Sequence, residues 1–328
     1  MPRAVVLREY GAPELLRLEQ VPRPTLHAGE VRVRVLAAGV NRADVEIRSG
    51  KWPIQKPQPF PYVPGVEVVG RVIETGGGVT TLRLGDAVIS IMMGLGGVRA
   101  ERPGGYQEEV ALRAADCSLL SVDIDLLDVA AVGLAGVTAL AGFDFVGAGP
   151  DRRVLVTGAG GGVGSCAIAL GKALGTSIVA VTRDRRKADQ LKRLGADEVV
   201  VAPADGPPPQ LPVVTGVIDL VGGPMFGALV EALGPGGKLC FLGGAGGDRV
   251  SFSAWSLVEG ITMGGWSSEV LDGAALRSAI GRLTSLMRRG TLNAPPVAKF
   301  ALADAPAAHH ALQRNEHVGR VMLMPDVP

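Results

Sequence analysis

Cysteine, net charge and long hydrophobic runs are all scarce in this sequence. Only Cys117, Cys166 and Cys240 occur in 328 residues, and no two of them have a spacing that suggests a disulfide framework. Lysine plus arginine number 33 and aspartate plus glutamate 32, so the net charge is +1. This balance argues against a nucleic acid or a membrane surface as the main partner.

No segment has the pattern of a signal peptide or of a membrane span. The apolar run in the N-terminal stretch "MPRAVVLREYGAP" ends at Arg8, which is too early for a signal peptide. No run reaches the roughly 18 unbroken apolar residues that a membrane helix needs. We therefore expect a soluble, cytoplasmic protein. Its 328 residues are too many for one ordinary core and predict two domains.

The pattern of strands and helices changes along the chain. Short apolar stretches such as "EVRVRVLAAGV", "VEVVGRVIETG" and "GDAVISI", separated by glycine and proline, predict an all-β first third with the form of a partly open barrel. From about Leu126 a long apolar helix candidate is followed by alternating strands and helices, which predicts a parallel sheet covered on both faces. A proline-rich surface loop at residues 202–212 interrupts that series.

A glycine cluster stands between a predicted strand and a predicted helix in "VLVTGAGGGVGSCAIALGKALG", residues 154–175. Such a turn allows backbone N–H groups and a helix N-terminus to approach a pyrophosphate, where any Cβ would collide. The spacing Ala159-x-Gly161-x-x-Gly164 departs from G-x-G-x-x-G at its first glycine. Inside a βαβ series the cluster nevertheless predicts dinucleotide binding, with Gly164 serving close helix–strand packing.

The end of the next strand indicates which dinucleotide binds. An acidic residue there would bind the 2′-hydroxyl of NAD, whereas this strand ends in Thr182 and Arg183, with Lys187 one helical turn later. Basic side chains suit the 2′-phosphate of NADPH. Two alternatives stay open: Asp184 takes the acidic role if the strand is longer, or the basic residues form a solvated helix start.

Several segments in the same order resemble the medium-chain dehydrogenase/reductase superfamily, in its zinc-independent quinone oxidoreductase (zeta-crystallin-like) branch. The resemblance covers nearly the whole chain, and its segments are "AAGVNRADVEIRSGKWP" (37–53), "PGVEVVGRV" (64–72), "GDAV" (85–88), "GGYQEEV" (104–110), "GLAGVTA" (133–139), the glycine cluster, "VIDLVGG" and "GKLCFLGG". It implies an α/β fold: a Rossmann-type parallel-sheet cofactor domain at 123–266, and a mostly β, partly open barrel (GroES-like) catalytic domain at 1–122 and 267–328.

Together with the glycine cluster and the basic strand end, the resemblance implies a set of cofactor contacts. These predicted NADPH-binding residues are Thr138, Gly158, Gly161, Gly162, Val163, Gly164, Thr182, Arg183, Lys187, Phe241, Leu242 and Gly243.

Zinc-dependent relatives place metal ligands where this chain has Asn41, Val66 and Leu134, none of which offers a thiolate or an imidazole. The histidine-containing stretch "AHHALQRNEH" is expected to be a solvated helix face and not a metal site. A simple ketone that receives hydride develops concentrated alkoxide charge, for which a metal is the usual remedy. A quinone or an α,β-unsaturated carbonyl spreads that charge, so oriented hydrogen-bond donors are enough.

The resemblance implies three catalytic-site residues. It places Asn41 beside the nicotinamide and the substrate, where it could donate to a substrate oxygen, and Asp44 in the same turn, where it orients the loop, relays protons or makes an Asx-type turn contact. Many relatives have tyrosine, a proposed proton donor in some enoyl reductases, at the position of Trp52. An indole N–H is no practical acid, so Trp52 is expected to form an apolar wall. Tyr62 and Tyr106 are possible substitutes, with packing an equal alternative for Tyr106.

The sequence therefore predicts an NADPH-dependent, zinc-independent reductase of a quinone or an α,β-unsaturated carbonyl. The alternatives are a ketone or enoyl-thioester reductase of a biosynthetic pathway and a non-catalytic NADPH-binding protein. We also expect a homodimer, because the uncharged stretch "ITMGGW" is one of the last strands of the parallel series and offers an unprotected edge.

Overall fold

The computed structural model describes residues 1–52, 60–96, 101–202 and 208–325, so residues 203–207 of the expected proline-rich loop lie outside the described part. The strands, in chain order, are β1 (Arg3–Val6), β2 (Arg17–Gln20), β3 (Glu30–Val40), β4 (Glu67–Thr75), β5 (Ala87–Ile91), β6 (Glu109–Arg113), β7 (Ser118–Leu119), β8 (Arg153–Val156), β9 (Ser177–Thr182), β10 (Glu198–Val201), β11 (Val214–Asp219), β12 (Leu233–Phe241), β13 (Thr262–Gly265), β14 (Val297–Ala301) and β15 (Arg320–Met324).

The α-helices are fewer and lie mainly in the second half of the chain. In chain order they are α1 (Arg42–Arg48), α2 (Leu126–Val146), α3 (Gly162–Ala173), α4 (Ala188–Leu194), α5 (Phe226–Glu231), α6 (Gly273–Arg288) and α7 (Ala305–Arg314). Short 3-10 turns connect several of these elements.

The chain forms two compact units. Unit 1 consists of Met1–Leu134, Glu269–Arg288 and Pro296–Pro328, and unit 2 consists of Ala135–Ser268 and Arg289–Pro295. The first boundary falls inside α2, later in the chain than the predicted boundary after residue 122. The second falls two residues after the predicted boundary at 266 (268 against 266).

The main sheet of unit 1 has seven strands in the order β14-β15-β3-β4-β5-β7, with β6 also paired to β3. Its long strand β3 pairs with β4 along one edge and with both β6 and β15 along the other. Because side chains alternate across a strand, "EVRVRV" places Val31, Val33 and Val35 in the core of this unit. This branched, mostly antiparallel sheet is the predicted GroES-like part of the fold.

Unit 2 has a six-stranded parallel sheet in the order β10-β9-β8-β11-β12-β13. Numbered within this unit the order is 3-2-1-4-5-6, which is that of a Rossmann sheet. The strands are apolar along most of their length because helices cover a parallel sheet on both faces. The predicted parallel sheet and its Rossmann type are confirmed.

Helix α2 matches the predicted apolar helix in extent but is kinked at Gly133. It is long and apolar enough to span a membrane by length and composition, yet 72% of its most apolar window is buried inside the protein. A core helix of a globular protein passes the same test. At this kink the regular pattern of helical hydrogen bonds is interrupted. The second half of the helix starts at Leu134, whose N–H donates to the side chain of Glu67.

Candidate functional site

The carboxyl ends of the parallel strands in unit 2 meet at one edge of the sheet, where open α/β sheets bind their ligands. The order of the sheet reverses at β8, since β9 lies on one side of it and β11 on the other. The glycine cluster follows β8 directly and leads into α3. The structure therefore places the predicted dinucleotide turn at the topological switch point of the sheet.

The glycines of this turn have distinct structural roles. Gly158 has a φ of +57°, a backbone conformation that L side chains rarely adopt. A Cβ at Gly164 would lie 2.6 Å from Ala159 Cα and would overlap Gly158 O, so only glycine allows α3 to pack this closely on the turn. A Cβ at Gly161, the residue before α3, would make only an ordinary 3.4 Å contact with Gly158 O. Packing within the protein therefore does not require glycine at position 161, in contrast to position 164.

A buried hydrogen-bonded pair, Thr157 with Asp219, fixes the turn to the neighbouring strand. Thr157 Oγ1 donates to Asp219 Oδ1 at 2.6 Å and accepts from Leu220 N at 2.8 Å. Asp219 also accepts from the backbone N–H groups of Val221 and Gly222. Burial raises the pKa of Asp219. Asp219 lies in the segment "VIDLVGG", but neither it nor Thr157 was predicted from the sequence as a site residue, although a lone carboxylate at the end of an apolar strand was an available signal.

The basic residues after β9 differ in their surroundings. Lys187 is buried, and a Cβ on Gly160 would lie 3.3 Å from its Nζ, so the ammonium group stands beside the glycine turn. Burial lowers the pKa of Lys187. Arg183 is exposed, and Thr182 is buried at the end of β9. Asp184 is engaged with Arg186, accepting from its backbone N at 3.0 Å and from its Nε at 2.9 Å.

The remaining predicted cofactor residues also belong to unit 2. Phe241, at the end of β12, and Leu242 and Gly243, which follow it, are half-buried, and Leu242 N donates to Asp219 O at 2.8 Å. The others are half-buried on helices: Gly162 and Val163 in the first turn of α3, and Thr138 in the second half of α2. The carboxyl ends of β8, β9 and β12 therefore lie at the same edge of the sheet as the glycine turn. Thr138 lies on α2, the helix that precedes β8 in the chain.

In unit 1, Asn41 and Asp44 lie at the start of α1 and are joined to each other through the backbone. Asp44 Oδ2 accepts from Asn41 N at 2.8 Å, and Asp44 Oδ1 accepts from Val66 N at 3.1 Å. Asp44 is almost completely buried, at 1% exposure. Of the alternatives for Asp44, the geometry shows a turn contact that also fixes the loop before β4.

The side-chain amide of Asn41 takes part in a buried ion-pair network. Arg320 Nη1 donates to Asn41 Oδ1 at 2.8 Å, and Asn41 Nδ2 donates to Glu67 Oε2 at 3.1 Å and to Gly39 O at 3.3 Å. Arg320 Nη2 forms a short ion pair with the same Glu67 oxygen. Glu67 Oε1 accepts from Leu134 N at 2.6 Å, at the start of the second half of α2. Both N–H bonds of the Asn41 amide are therefore already donated within the protein.

A second buried chain leads from Asp44 to Tyr106 and His309. Burial and the charge of Glu67 raise the pKa of Asp44 to about 7, although its backbone hydrogen bonds act in the opposite direction. The Tyr106 hydroxyl, which is within hydrogen-bonding reach of Asp44, lies 3.2 Å from His309 Nε2. Burial raises the pKa of Tyr106 well above its ordinary value and lowers that of His309 to about 3.

One expectation about the histidines is wrong. His309 was expected on a solvated helix face, but it is fully buried against Tyr106, because α7 turns this residue towards the core of unit 1. His310 and His317 of the same stretch are half-buried, and His310 binds Glu14 at 2.6 Å. His309 Nδ1 has no hydrogen-bond partner among the described residues, so the chain from Asp44 ends inside the protein.

Trp52 and Tyr62, the other aromatic candidates, also lie in unit 1. The Trp52 indole N–H donates to Glu269 Oε1 at 3.1 Å, so its one polar group is used in the structure. The Tyr62 hydroxyl is buried and has no hydrogen-bond partner in the part of the chain that the structure describes. Burial raises the pKa of Tyr62 as well, which makes it a weak acid.

The side chains at the positions of zinc ligands do not fit a zinc ion. Val66 and Leu134 have hydrocarbon side chains, and the amide of Asn41 is bound to Arg320 and Glu67. A guanidinium group thus occupies the polar cluster around Asn41, where it would repel a metal cation. The described ranges contain no group of three or more histidine, cysteine, aspartate or glutamate residues that could hold a metal ion.

Glu67 and Arg320, the two charged members of this network, were not predicted from the sequence. Glu67 follows Val66 within the quoted segment "PGVEVVGRV", and a carboxylate at the start of an apolar strand was a usable signal. Arg320 lies 253 residues further along the chain, and no local pattern connects the two residues.

Comparison with known proteins adds family matches to this geometry. The family model described as "Alcohol dehydrogenase GroES-like domain" matches residues 27–122, and the one described as "Zinc-binding dehydrogenase" matches residues 162–268. The chain is 35% identical over 187 residues to a chloroplast envelope quinone oxidoreductase homolog of Arabidopsis thaliana, a match that spans 55% of this chain and about half, 55%, of that relative.

Longer matches cover most of the chain. It is 31% identical over 287 residues to an alcohol dehydrogenase of Moraxella sp. (80% of this chain, 83% of the relative), and 29% identical over 325 residues to a mitochondrial enoyl-[acyl-carrier-protein] reductase of Bos taurus (92% and 83%). Among solved structures, a mycobacterial protein complexed with NADPH is similar with a TM-score of 0.84 and 28% identity, covering 99% of this chain and 100% of that one. With its Rossmann sheet and GroES-like unit, the chain belongs to the medium-chain dehydrogenase/reductase superfamily, in the quinone oxidoreductase-like branch.

Proposed function

We propose that this oxidoreductase uses NADPH to reduce a quinone or an α,β-unsaturated carbonyl compound by direct hydride transfer, without zinc. The observation that carries the proposal is the glycine turn of unit 2, which has Lys187 buried beside it. When bound, NADPH supplies the hydride. The residues of this chain bind the cofactor, orient polar groups and exclude water.

The choice of NADPH over NADH rests on the charges after β9. Lys187 supplies a cation beside the turn, and exposed Arg183 supplies a second one near the end of β9. Asp184, the residue that would favour the 2′-hydroxyl of NADH, uses its carboxylate on Arg186. A 2′-phosphate placed here would gain charge-assisted hydrogen bonds. A similar mycobacterial structure holds NADPH, which also supports this choice.

The choice of a conjugated acceptor rests on the polar network around Asn41. Its charges, on Glu67 and Arg320, neutralise each other, and the N–H bonds of Asn41 are used within the protein, so the network supplies no strong Lewis acid to a reacting oxygen. A site without a strong Lewis acid suits an acceptor that spreads its negative charge through conjugation better than a simple ketone, which concentrates the charge on one oxygen. The quinone oxidoreductase homolog among the relatives supports the same acceptor class.

The test is an acceptor screen with purified protein and NADPH, followed by loss of NADPH absorbance. Benzoquinone and naphthoquinone represent quinones, and cyclohexenone is compared with cyclohexanone, which differs only in lacking the conjugated double bond. We expect turnover of the quinones or of cyclohexenone, and little with cyclohexanone. Turnover of the saturated ketone alone would refute the proposed acceptor class. Tight NADPH binding without turnover of any acceptor would instead favour a non-catalytic NADPH-binding protein.

A second candidate is an enoyl-thioester reductase, which the bovine enoyl-[acyl-carrier-protein] reductase relative favours. Against it, the indole of Trp52 stands at the position of the proposed tyrosine acid, and its N–H is bound to Glu269. Adding crotonyl thioester to the acceptor panel separates the two candidates. A rate with the thioester well above that with quinones would make this second candidate the better one.

We also propose that the protein forms a homodimer through unit 2. Strand β13 lies at the edge of the six-stranded sheet, and no strand among the described residues pairs with its outer side. The 3-10 turn before it exposes apolar side chains, among them Trp255 at 81% and Val258 at 76% exposure. An unprotected edge beside exposed apolar residues favours pairing with a second copy. Symmetric pairing of one edge with itself closes a twofold dimer.

A further inference from the structure

We propose that Thr157 and Asp219 are positioning residues for the cofactor, which hold the glycine turn after β8 in the conformation that binds its pyrophosphate. The inference rests on the proposed function, because its effect is measured on the binding of NADPH. Thr157 and Asp219 are 1% and 0% exposed, so neither side chain reaches a surface that a ligand could touch. They act through the backbone of the turn.

The first step of the argument is that the glycine turn needs contacts from outside to keep one shape. Five glycines lie between residues 158 and 164, and glycine loses more backbone freedom on ordering than any other residue. A turn that is ordered only when its ligand binds lowers the affinity for that ligand. On the side of β9, Ala159 N donates to Val181 O at 3.1 Å. A constraint on the side of β11 would hold the turn between both neighbouring strands.

The second step is that the Thr157 hydroxyl supplies this constraint. It donates to Asp219 Oδ1 at 2.6 Å and accepts from Leu220 N at 2.8 Å. The same Asp219 oxygen accepts from Val221 N at 3.0 Å and from Gly222 N at 3.2 Å. One carboxylate oxygen therefore binds both the residue before the glycine turn and the backbone of the loop that follows β11.

The third step is that the glycine turn and the loop after β11 are in contact. A Cβ on Gly158 would lie 3.2 Å from Val221 Cγ2 and 3.5 Å from Leu220 Cβ. A shift of this loop therefore moves the turn that leads into α3. The first N–H groups of a helix have no acceptor within it, and they are the groups that approach a pyrophosphate. Their position thus depends on the hydrogen bonds of Thr157.

The test is isothermal titration calorimetry of the full-length protein with NADPH, comparing the wild type with Thr157→Val. Valine has nearly the shape of threonine, but it places a methyl group against Asp219 Oδ1 and Leu220 N. Buried polar groups without a partner are costly, and the loop relieves this cost by separating from the turn to admit water. We expect the Kd for NADPH to rise about 10-fold, the effect of about one hydrogen bond. Thr157→Ser keeps the hydroxyl and should restore the Kd to within about 3-fold of the wild-type value.

A second ligand separates positioning of the turn from general damage to unit 2. Adenosine 2′-phosphate carries the 2′-phosphate of NADPH but no pyrophosphate. The cations proposed for the 2′-phosphate, Arg183 and Lys187, follow β9 and not β11. Thr157→Val should therefore change the Kd for adenosine 2′-phosphate by less than about 2-fold. Equal losses of affinity for the two ligands would overturn the inference.

The matched control is Thr176→Val, which removes another buried threonine hydroxyl of unit 2. Thr176 is 4% exposed, and its Oγ1 accepts from Gly149 N at 2.8 Å, the same distance as in the bond from Leu220 N. It stands directly before β9, at the amino end of the parallel sheet and opposite to the glycine turn. This variant should bind both ligands as the wild type does, even if its Tm falls as far as that of Thr157→Val. A loss of NADPH affinity equal to that of Thr157→Val would overturn the inference.

The remaining outcomes also decide the matter. If Thr157→Val does not fold, Thr157→Ala takes its place, because it leaves room for a water molecule that can bind Leu220 N and Asp219. An unchanged Kd for NADPH in the variant, or a failure of Thr157→Ser to restore it, refutes positioning through the hydroxyl. A wild-type protein that binds NADH and not NADPH contradicts the proposed choice of cofactor, and the inference then stands or falls by the same loss measured with NADH. A wild-type protein that binds neither overturns both.

Discussion

Alanine at Gly133 would place a Cβ on top of Glu67 Oε1, with Glu67 Cδ at 3.1 Å and Ile89 Cδ1 at 3.5 Å. The carboxylate is held by Leu134 N on one oxygen and by Arg320 and Asn41 on the other, so it has no free direction in which to move. Gly133→Ala should therefore break the network at its centre. The affected atoms all lie in unit 1.

The magnitude follows from what the displaced carboxylate leaves behind. An unpaired, buried Leu134 N–H costs about 1–3 kcal/mol, and breaking a buried ion pair costs about 3–5 kcal/mol. Because the Glu67 carboxylate shifts and is not removed, we take the lower ends and expect a loss of about 3–4 kcal/mol in the free energy of unfolding. At roughly 2–4 °C per kcal/mol for a domain of this size, Tm should fall by about 10 °C.

The assay is thermal unfolding followed by circular dichroism, with Gly281→Ala as the matched control. Gly281 is an exposed glycine inside α6, and a Cβ there would meet nothing within 4 Å. Alanine should stabilise that helix by about 0.5–1 kcal/mol, because glycine loses more backbone entropy on folding. The same substitution should thus shift Tm in opposite directions at the two sites. A Gly133→Ala variant within about 2 °C of the wild-type Tm would refute the reasoning.

Three further predictions follow from the two sites and the sheet edge. The double variant Lys187→Met with Arg183→Ala should weaken NADPH binding by about 1.5–3 kcal/mol per lost charged hydrogen bond. Fluorescence titrations should show NADH binding nearly unchanged, and equal losses of affinity for both cofactors would place the 2′-phosphate elsewhere. Burial raises the pKa of Asp44 to about 7 from an unfolded value near 3.9. The buried carboxyl is therefore favoured in its protonated form, and its contribution to the free energy of unfolding is fully present below about pH 4 and is lost as the pH rises through 7. Urea unfolding between about pH 5 and 7 should therefore show this decline in the wild-type protein and not in Asp44→Asn, and parallel profiles would contradict it. Thr262→Lys should convert a dimer of twice 33.8 kDa to a monomer in light scattering, and a wild-type mass of 33.8 kDa at all concentrations would exclude the dimer.

Local patterns made the nucleotide unit predictable. A strand, a glycine turn and a helix are adjacent in the chain, so the turn between β8 and α3, with Gly164 in the first turn of α3, followed from about twenty consecutive residues. The basic residues after β9 were found in the same way. Their difference in burial was not predictable, because exposed Arg183 and buried Lys187 are set apart by the packing of the turn and not by their own types.

The network in unit 1 was not predictable because its members are distant in sequence. Asn41 was identified by resemblance, but its partners come from β4, from β15 and from the kink in α2. His309 shows the same limit, since a histidine in a polar helix such as α7 has no local signal that it packs on Tyr106. In both cases tertiary contacts decide whether a polar side chain is a surface group or a member of a buried network.

The distance between Glu67 and Arg320 also sets the order in which the units can be completed during synthesis. At about 5–20 residues per second, the 253 residues between them take roughly 13 to 50 s to make. Until then Glu67 has no counter-charge, and enclosing a lone carboxylate costs several kcal/mol. The strands of unit 2, by contrast, all lie between Arg153 and Gly265 and are available earlier. A nascent chain that stalls before Arg320 therefore has all the strands of unit 2, but its unit 1 lacks β15 and the counter-charge of Glu67.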